Sequence, residues 1–147
     1  MCERYGTAAC LDPNWAEWPV PNNTYVNNAD GTVTDNTSKL MWEQSSSYET
    51  TTQMSYSDSV SYCENLRTGG YSDWRVPTMI ELVSLMNFGT YLPAIDISKF
   101  TNTLTEGHYW SSTPLAQSPT DHWLANFGYG GTVLYAPGGQ LAVRCVR

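Results

Sequence analysis

The run Gly69-Gly70-Tyr71-Ser72-Asp73-Trp74-Arg75-Val76-Pro77-Thr78-Met79-Ile80-Glu81-Leu82, set between Cys63 and Cys145, constrains this chain more than any other feature. A helix-like segment carrying Cys63 precedes it. A glycine break and a Trp suited to burial lie within it, and Pro-Thr-x-x-Glu opens a second helix. Beyond it the one remaining cysteine is Cys145, in the apolar end segment 141–146. That order describes a fold closed by a disulfide, not a catalytic loop.

Four cysteines allow three full pairings. Cys2 with Cys10 and Cys63 with Cys145 are favoured, because one closes a short local loop and the other ties a helix to the last strand. An oxidising compartment follows; the competing reading is a set of free, buried thiols in a cytosolic protein. In a further variant Cys2 is the lipid-bearing first residue of a mature lipoprotein, which leaves Cys10 unpaired.

The 147 residues suffice for one real core and are too few for two sizeable domains. Fourteen Asp and Glu against seven Lys and Arg give a net charge of -7, so there is no basic field to hold a polyanion and nucleic acid is not an expected partner. No stretch approaches the ~20 apolar residues of a transmembrane helix. The start Met1-Cys2-Glu3-Arg4 lacks the cationic-then-apolar pattern of a secretion signal and reads as processed or recombinant. Neutral polar residues supply most of the surface, a habit of secreted proteins.

Residues 1–23 hold Pro13, Pro19 and Pro21 with Trp15 and Trp18 and read as an extended arm pinned by its tryptophans. The remainder, 24–147, reads as one domain. Asn28-Ala29-Asp30-Gly31 and Asn36-Thr37-Ser38-Lys39 are turns between short β pieces. Ser55 opens a helix with Tyr56, Val60, Cys63 and Arg67 on one stripe, and Thr78 with Glu81 forms a capping box for a helix running to about Met86. Four antiparallel strands are then expected, at 108–112, 123–127, 132–135 and 141–146, separated by Pro/Gly/Ser turns.

Catalytic chemistry finds little support. The two histidines, His108 and His122, have no metal-ligand spacing to another His, Cys or carboxylate. His122 follows Asp121 directly, and neighbours on a strand point to opposite faces, which disfavours a triad with Ser118. The Asp30–Asp35 stretch misses the alternating ligand positions of a calcium loop, and Asp-Gly is a strong hairpin signal. The expectation is a non-enzyme with no metal and no cofactor.

The succession Asp30-Gly31-Thr32-Val33-Thr34-Asp35, Leu40-Met41-Trp42-Glu43-Gln44, Tyr62-Cys63-Glu64-Asn65-Leu66, Gly70-Tyr71-Ser72-Asp73-Trp74-Arg75-Val76-Pro77-Thr78, Tyr109-Trp110-Ser111-Ser112-Thr113 and Val143-Arg144-Cys145-Val146-Arg147 resembles the Lcl C-terminal domain family, named after the end domain of a bacterial collagen-like adhesin. The resemblance covers about 24–147. It implies an α+β, C-type-lectin-like fold of the kind shared with formylglycine-generating enzymes: antiparallel sheets, two flanking helices, a disulfide brace, and the two chain ends side by side in one sheet. In the namesake the domain is associated with sulfated glycosaminoglycans, which require Lys/Arg clusters. Arg67, Arg75, Arg144 and Arg147 fall at motif positions suited to structural pairing with Asp73 or Glu81, so a broader adhesin or ligand-display role is what carries over.

Trp42, Trp74 and Trp110 lie in those motifs and are assigned to the core. In this fold class the segment between the Tyr-Trp-Ser-Ser motif and the last strand contributes the exposed ligand face. There Asp121, His122, Asn126, Tyr129 and Tyr135, with Gln117 nearby, offer rings that stack on sugars or protein surfaces and polar groups that bond hydroxyls. The combined expectation is a secreted or cell-surface bacterial binding module recognising a glycan or a protein surface. Its alternatives are a structural subunit of a surface filament or homo-oligomer, and a diversified receptor-binding protein.

Overall fold

A computed structural model describes residues 24–47, 54–104, 107–135 and 139–147. The expected Cys2–Cys10 bridge and the arm 1–23 lie outside the described residues. The first reversal is built by Asp30, whose Oδ1 accepts the Thr32 amide at 3.0 Å and the Thr32 hydroxyl at 2.6 Å. Gly31 takes φ +85°, and a Cβ there would lie 2.9 Å from Thr68 Cγ2, so only glycine fits. This turn joins β1 (Tyr25–Asn27) to β2 (Thr32–Asp35). The second reversal uses Asp35, which accepts from the Thr37 amide and the Ser38 hydroxyl, and leads to β3 (Met41–Glu43). Both Asp carboxylates thus serve their turns, and the strands form an antiparallel sheet in the order β1-β2-β3.

Helix α1 (Tyr56–Asn65) starts where the Ser55 hydroxyl accepts the Asp58 amide, and it carries Cys63 fully buried. Arg67 closes its other end by donating to the Glu64 and Leu66 carbonyls, where a cation complements the helix dipole. Helix α2 (Met79–Ser84) has the complete capping box of Thr78 and Glu81. It stops two residues short of the expected Met86, because Leu85 and Met86 switch to the tighter bonds with the Leu82 and Val83 carbonyls. Leu82, Leu85 and Met86 are all buried as the pattern predicts.

The second sheet is β4 (Tyr109–Leu115), β5 (Ser118–Asn126) and β6 (Gly131–Tyr135), antiparallel, with β5 central. Side chains alternate along it, so Tyr109 and Ala125 join one core cluster with Val33, Trp42, Leu82 and Phe127, while Trp110 and Leu124 join another with Cys63, Trp74 and Cys145. The sheet is a partition between two apolar clusters.

The expected fourth strand at 141–146 is not a regular strand. It is an extended segment making isolated bridges to Met54, Trp42 and Arg75 (antiparallel) and to Tyr109 (parallel). Its residues still alternate: Leu141, Val143 and Cys145 enter one cluster, Ala142 and Val146 the other. No single partner matches it over its length, because successive residues bridge to separate stretches of the chain. Cys145 bonds to Cys63, 82 residues away in sequence. The C-terminal segment borders β3 through the reciprocal Met41 and Arg147 bonds, whereas β1 borders β2. The two described ends therefore share a sheet with β2 and β3 between them, and do not lie side by side.

Candidate binding surface

At the end of β5, Asn126 shapes the following turn: its Oδ1 accepts the Tyr129 amide at 3.1 Å, and its Nδ2 lies 3.4 Å from His108 Nε2. Gly130 takes φ +67°, and a Cβ there would sit 3.1 Å from Ala94 Cβ and 3.6 Å from Phe88 Cδ1. The 87–94 loop therefore packs onto this turn. Two backbone bonds fix it, from the Leu92 amide to the Gly128 carbonyl at 2.8 Å and from Ala94 to Phe127 at 2.6 Å. Phe127, Ala94 and Ile95 anchor the assembly in the core.

Three aromatic side chains project from this well-bonded end: Phe88, Tyr91 and Tyr129 are 69%, 72% and 68% exposed. Leu92 is exposed beside them. An apolar side chain of this size forgoes ~1.5–3 kcal/mol by remaining in water, so the cluster holds free energy that only contact with another surface releases.

Of the four residues predicted for a ligand face whose side chains are described, one is largely in solvent. Tyr129 is at the turn tip. His122 and Asn126, on the central strand β5, are buried, each 8% exposed: His122 lies against Tyr56 of α1, and Asn126 between His108 and the Tyr129 turn. The His122 ring stacks on Tyr56 with centroids 3.7 Å apart and meets the Trp110 ring edge-on at 6.2 Å. Burial pushes the His122 pKa down, outweighing the Thr120 backbone and the Asp121 charge, and burial likewise lowers His108. In both, burial favours the neutral imidazole. Asp121 is half-buried, on the opposite face of β5 from His122, with Oδ1 lacking a hydrogen-bond partner among the described residues. The backbone of Tyr135 pairs with His122 on β6, and its side chain lies outside the description.

Phe88 and Tyr91 escaped the sequence reading. The available signal was two aromatics in a short Gly- and Pro-flanked stretch, Phe88-Gly89-Thr90-Tyr91-Leu92-Pro93, with no periodic partner to bury them. The motif tryptophans are buried: Trp42, Trp74 and Trp110 expose 2% or less.

The sequence matches the Lcl C-terminal domain family over residues 31–147. The chain belongs to that family. No curated protein matches the chain. The match to the Lcl C-terminal domain takes in both helices, the disulfide, β2 to β6 and the whole aromatic end. In this Lcl C-terminal domain, the motif arginines have defined partners: Arg75 donates twice to Glu81, and Arg147 donates twice to Asp73 while its guanidinium lies 3.7 Å over the Tyr71 ring. Arg144 is fully buried, 5.3 Å over the Phe100 ring, and donates to the Glu43, Gln44 and Thr101 carbonyls and the Thr103 hydroxyl. Among the described residues no group of three or more His, Cys, Asp or Glu could hold a metal ion, and no helix is long and apolar enough to cross a membrane.

Proposed function

We propose that this domain is a non-catalytic, secreted or cell-surface binding module with a C-type-lectin-like architecture, which adheres to a glycan or protein surface through the aromatic end. The observation that carries this reading is the exposure of Phe88, Tyr91 and Tyr129 on backbone fixed by core-anchored hydrogen bonds. Rings already held in place lose little conformational freedom on docking, and aromatic anchors dominate binding energy. The disulfide and the absence of a membrane-crossing helix among the described residues are compatible with an extracellular setting.

The three aromatics bring no charge of their own, and the chain is acidic, so binding should depend weakly on salt and should not favour heparin-like polymers. The test is a screen of the oxidised protein against glycan arrays and surface proteins, repeated with Tyr129→Ala. Loss of most affinity, ~2 kcal/mol or more, is expected for a true anchor. Full affinity in the variant, or a salt-sensitive preference for sulfated glycans in the parent, removes the aromatic end from consideration.

One observation favours the alternative of a structural subunit. Among the described residues β6 pairs only with β5, and its Val133 and Leu134 are both exposed, so an apolar edge stands open to a second copy. Mass photometry across a dilution series separates the readings: a stable oligomer supports the subunit role, and a monomer at every concentration supports the adhesive one.

A further inference from the structure

A cleft of about 250 Å³, lined by none of the aromatic-end residues, opens between the β1–β2 turn, the end of β3 and the end of α1. Gly31, Glu43, Gln44, Tyr62, Leu66 and Thr68 line it. We propose that this cleft binds a neutral, hydroxyl-rich molecule the size of one sugar ring. The proposal adds a second contact to the surface-binding role above and stands on different residues.

Size sets the first limit. Sites for drug-sized ligands span ~300–1,000 Å³, so this cleft takes something smaller. It is nonetheless several times the ~30 Å³ share of one water molecule.

Charge sets the second. Glu43 is buried, 5% exposed, and its carboxylate is engaged at both oxygens: Oε1 accepts the Tyr62 hydroxyl at 2.5 Å and Oε2 accepts the Cys145 amide at 3.1 Å. Arg144, buried behind the wall, donates to the Glu43 and Gln44 carbonyls, and Glu43 is among the charges that favour its cationic form. The two buried charges offset one another, and the lining contains no Lys or Arg. A strongly charged guest has no uncompensated partner there, whereas a neutral one loses little by entering.

Chemistry and rigidity set the third. The Gln44 amide and the Ser45 and Thr68 side chains bring hydrogen-bonding groups to the walls, with Leu66 and the Tyr62 ring as apolar surface, a pairing that suits a ring with hydroxyls at its edge and C–H groups on its face. The walls are held before any ligand arrives. Gln44 N donates to the Gly31 carbonyl at 3.0 Å, Asn102 Nδ2 donates to Ser45 Oγ at 2.9 Å, and Trp74 Nε1 donates to the Thr68 carbonyl at 3.2 Å. The bare Gly31, which cannot carry a side chain at φ +85°, keeps the cleft's side against Thr68 open.

Amide ¹H–¹⁵N chemical shifts read the proposal directly. The oxidised protein is titrated with methyl α-mannoside, methyl β-galactoside and N-acetylglucosamine as neutral probes, and with glucosamine and glucuronate as charged ones. Saturable shifts at Gly31, Gln44, Ser45 and Thr68 with at least one neutral probe are expected. Gln44→Leu/Thr68→Val should weaken that binding at least tenfold, and Tyr129→Ala should leave it unchanged. Thr68→Val alone, which keeps the side-chain shape, serves if the double variant melts early; weakening of severalfold is expected from it. The proposal is overturned by tighter binding of glucosamine than of every neutral probe, by shifts confined to the Tyr129 turn, or by no saturable shift with any of the five. Failure here leaves the aromatic end untouched, because Tyr129→Ala reads that surface separately.

Discussion

Two stretches of this domain are irregular in backbone and opposite in what they do with it. The C-terminal segment 141–147 makes bridges to four different residues, buries Ala142, Val143, Arg144, Cys145 and Val146 completely, and is bonded to α1 through a disulfide. The 87–97 stretch also bonds its backbone to a neighbour, at Phe127 and Gly128, yet leaves Phe88, Tyr91 and Ile97 in solvent. In the first, order and burial coincide, which is the signature of a stabilising element. In the second the backbone is fixed while apolar side chains remain outside. That combination contributes little to the monomer's own stability, and it is the feature on which the proposed binding role rests.

The sharpest way to break this contrast is to cut the disulfide. A cross-link between Cys63 and Cys145, 82 residues apart, removes about 4–5 kcal/mol of chain entropy from the unfolded state. In a domain of this length Cys63→Ser/Cys145→Ser should lower Tm on the order of 10–15 °C by calorimetry. A change of only a few degrees would show that the terminal segment is held by its bridges alone.

The next largest effect is expected at Arg144. Its guanidinium satisfies three carbonyls and a hydroxyl in the interior, and removing it takes a buried donor from those acceptors and the nearby cation from Glu43. Arg144→Met should cost about 3–5 kcal/mol in urea unfolding. Arg144→Lys should recover only part of that, since an ammonium cannot match the planar fork. A wild-type unfolding curve for Arg144→Met would mean that the terminal segment tolerates an apolar side chain there, and the contrast would rest on the disulfide alone.

Much of this architecture is legible in the sequence where a local rule decides. The caps at Ser55 and Thr78, the two Asp-built turns and the inward stripe of Leu82, Leu85 and Met86 are all set by neighbours in the chain. The motif arginines at 75 and 147 also find the partners their spacing suggests. What the sequence hides is set by tertiary position. Nothing local says that β5 is a central strand, and that fact turns His122 and Asn126 from surface groups into buried ones. Nothing local says that 141–146 meets several partners and not one, because alternating burial looks the same in either case. Phe88 and Tyr91 were hidden for the reverse reason: an aromatic in a loop is exposed or buried according to what packs over it, and here both rings stay largely in solvent.

A smaller effect, readable by pH, concerns the brace between the terminal clusters and α2. The Arg75 guanidinium, followed by the Thr78 amide and hydroxyl, holds Glu81 down to about 2 from its ordinary 4.5, against the opposing influence of burial. A carboxyl depressed on folding adds stability above its unfolded pKa and loses it as pH falls through the folded one. The wild type should therefore exceed Glu81→Gln at pH 7, by about 1–2 kcal/mol once the partial exposure of the pair is allowed for. The difference should shrink below pH 4.5 and be gone near pH 2. A gap that stayed constant with pH would assign the loss to the helix cap geometry and not to the charge.

The smallest effect on stability is expected where the contrast predicts none. Tyr129 and Phe88 expose more than two thirds of their surface, and the turn is held through backbone atoms, Asn126 and Gly130. Replacing both rings by Ser removes apolar surface already in water, so the unfolding free energy should change by no more than ~0.5 kcal/mol. At Gly130, one residue away, even Ala is strained by φ +67° and crowded at 3.1 Å by Ala94, so Gly130→Ala should cost about 1–2 kcal/mol. Adjacent positions in one turn thus respond oppositely, the glycine through the fold and the tyrosine through whatever the rings touch. Parallel urea titrations of Phe88→Ser/Tyr129→Ser and Gly130→Ala decide the matter. If the ring variant destabilises as much as the glycine variant, the aromatics belong to the fold of the monomer, and the case for an adhesive end falls with that result.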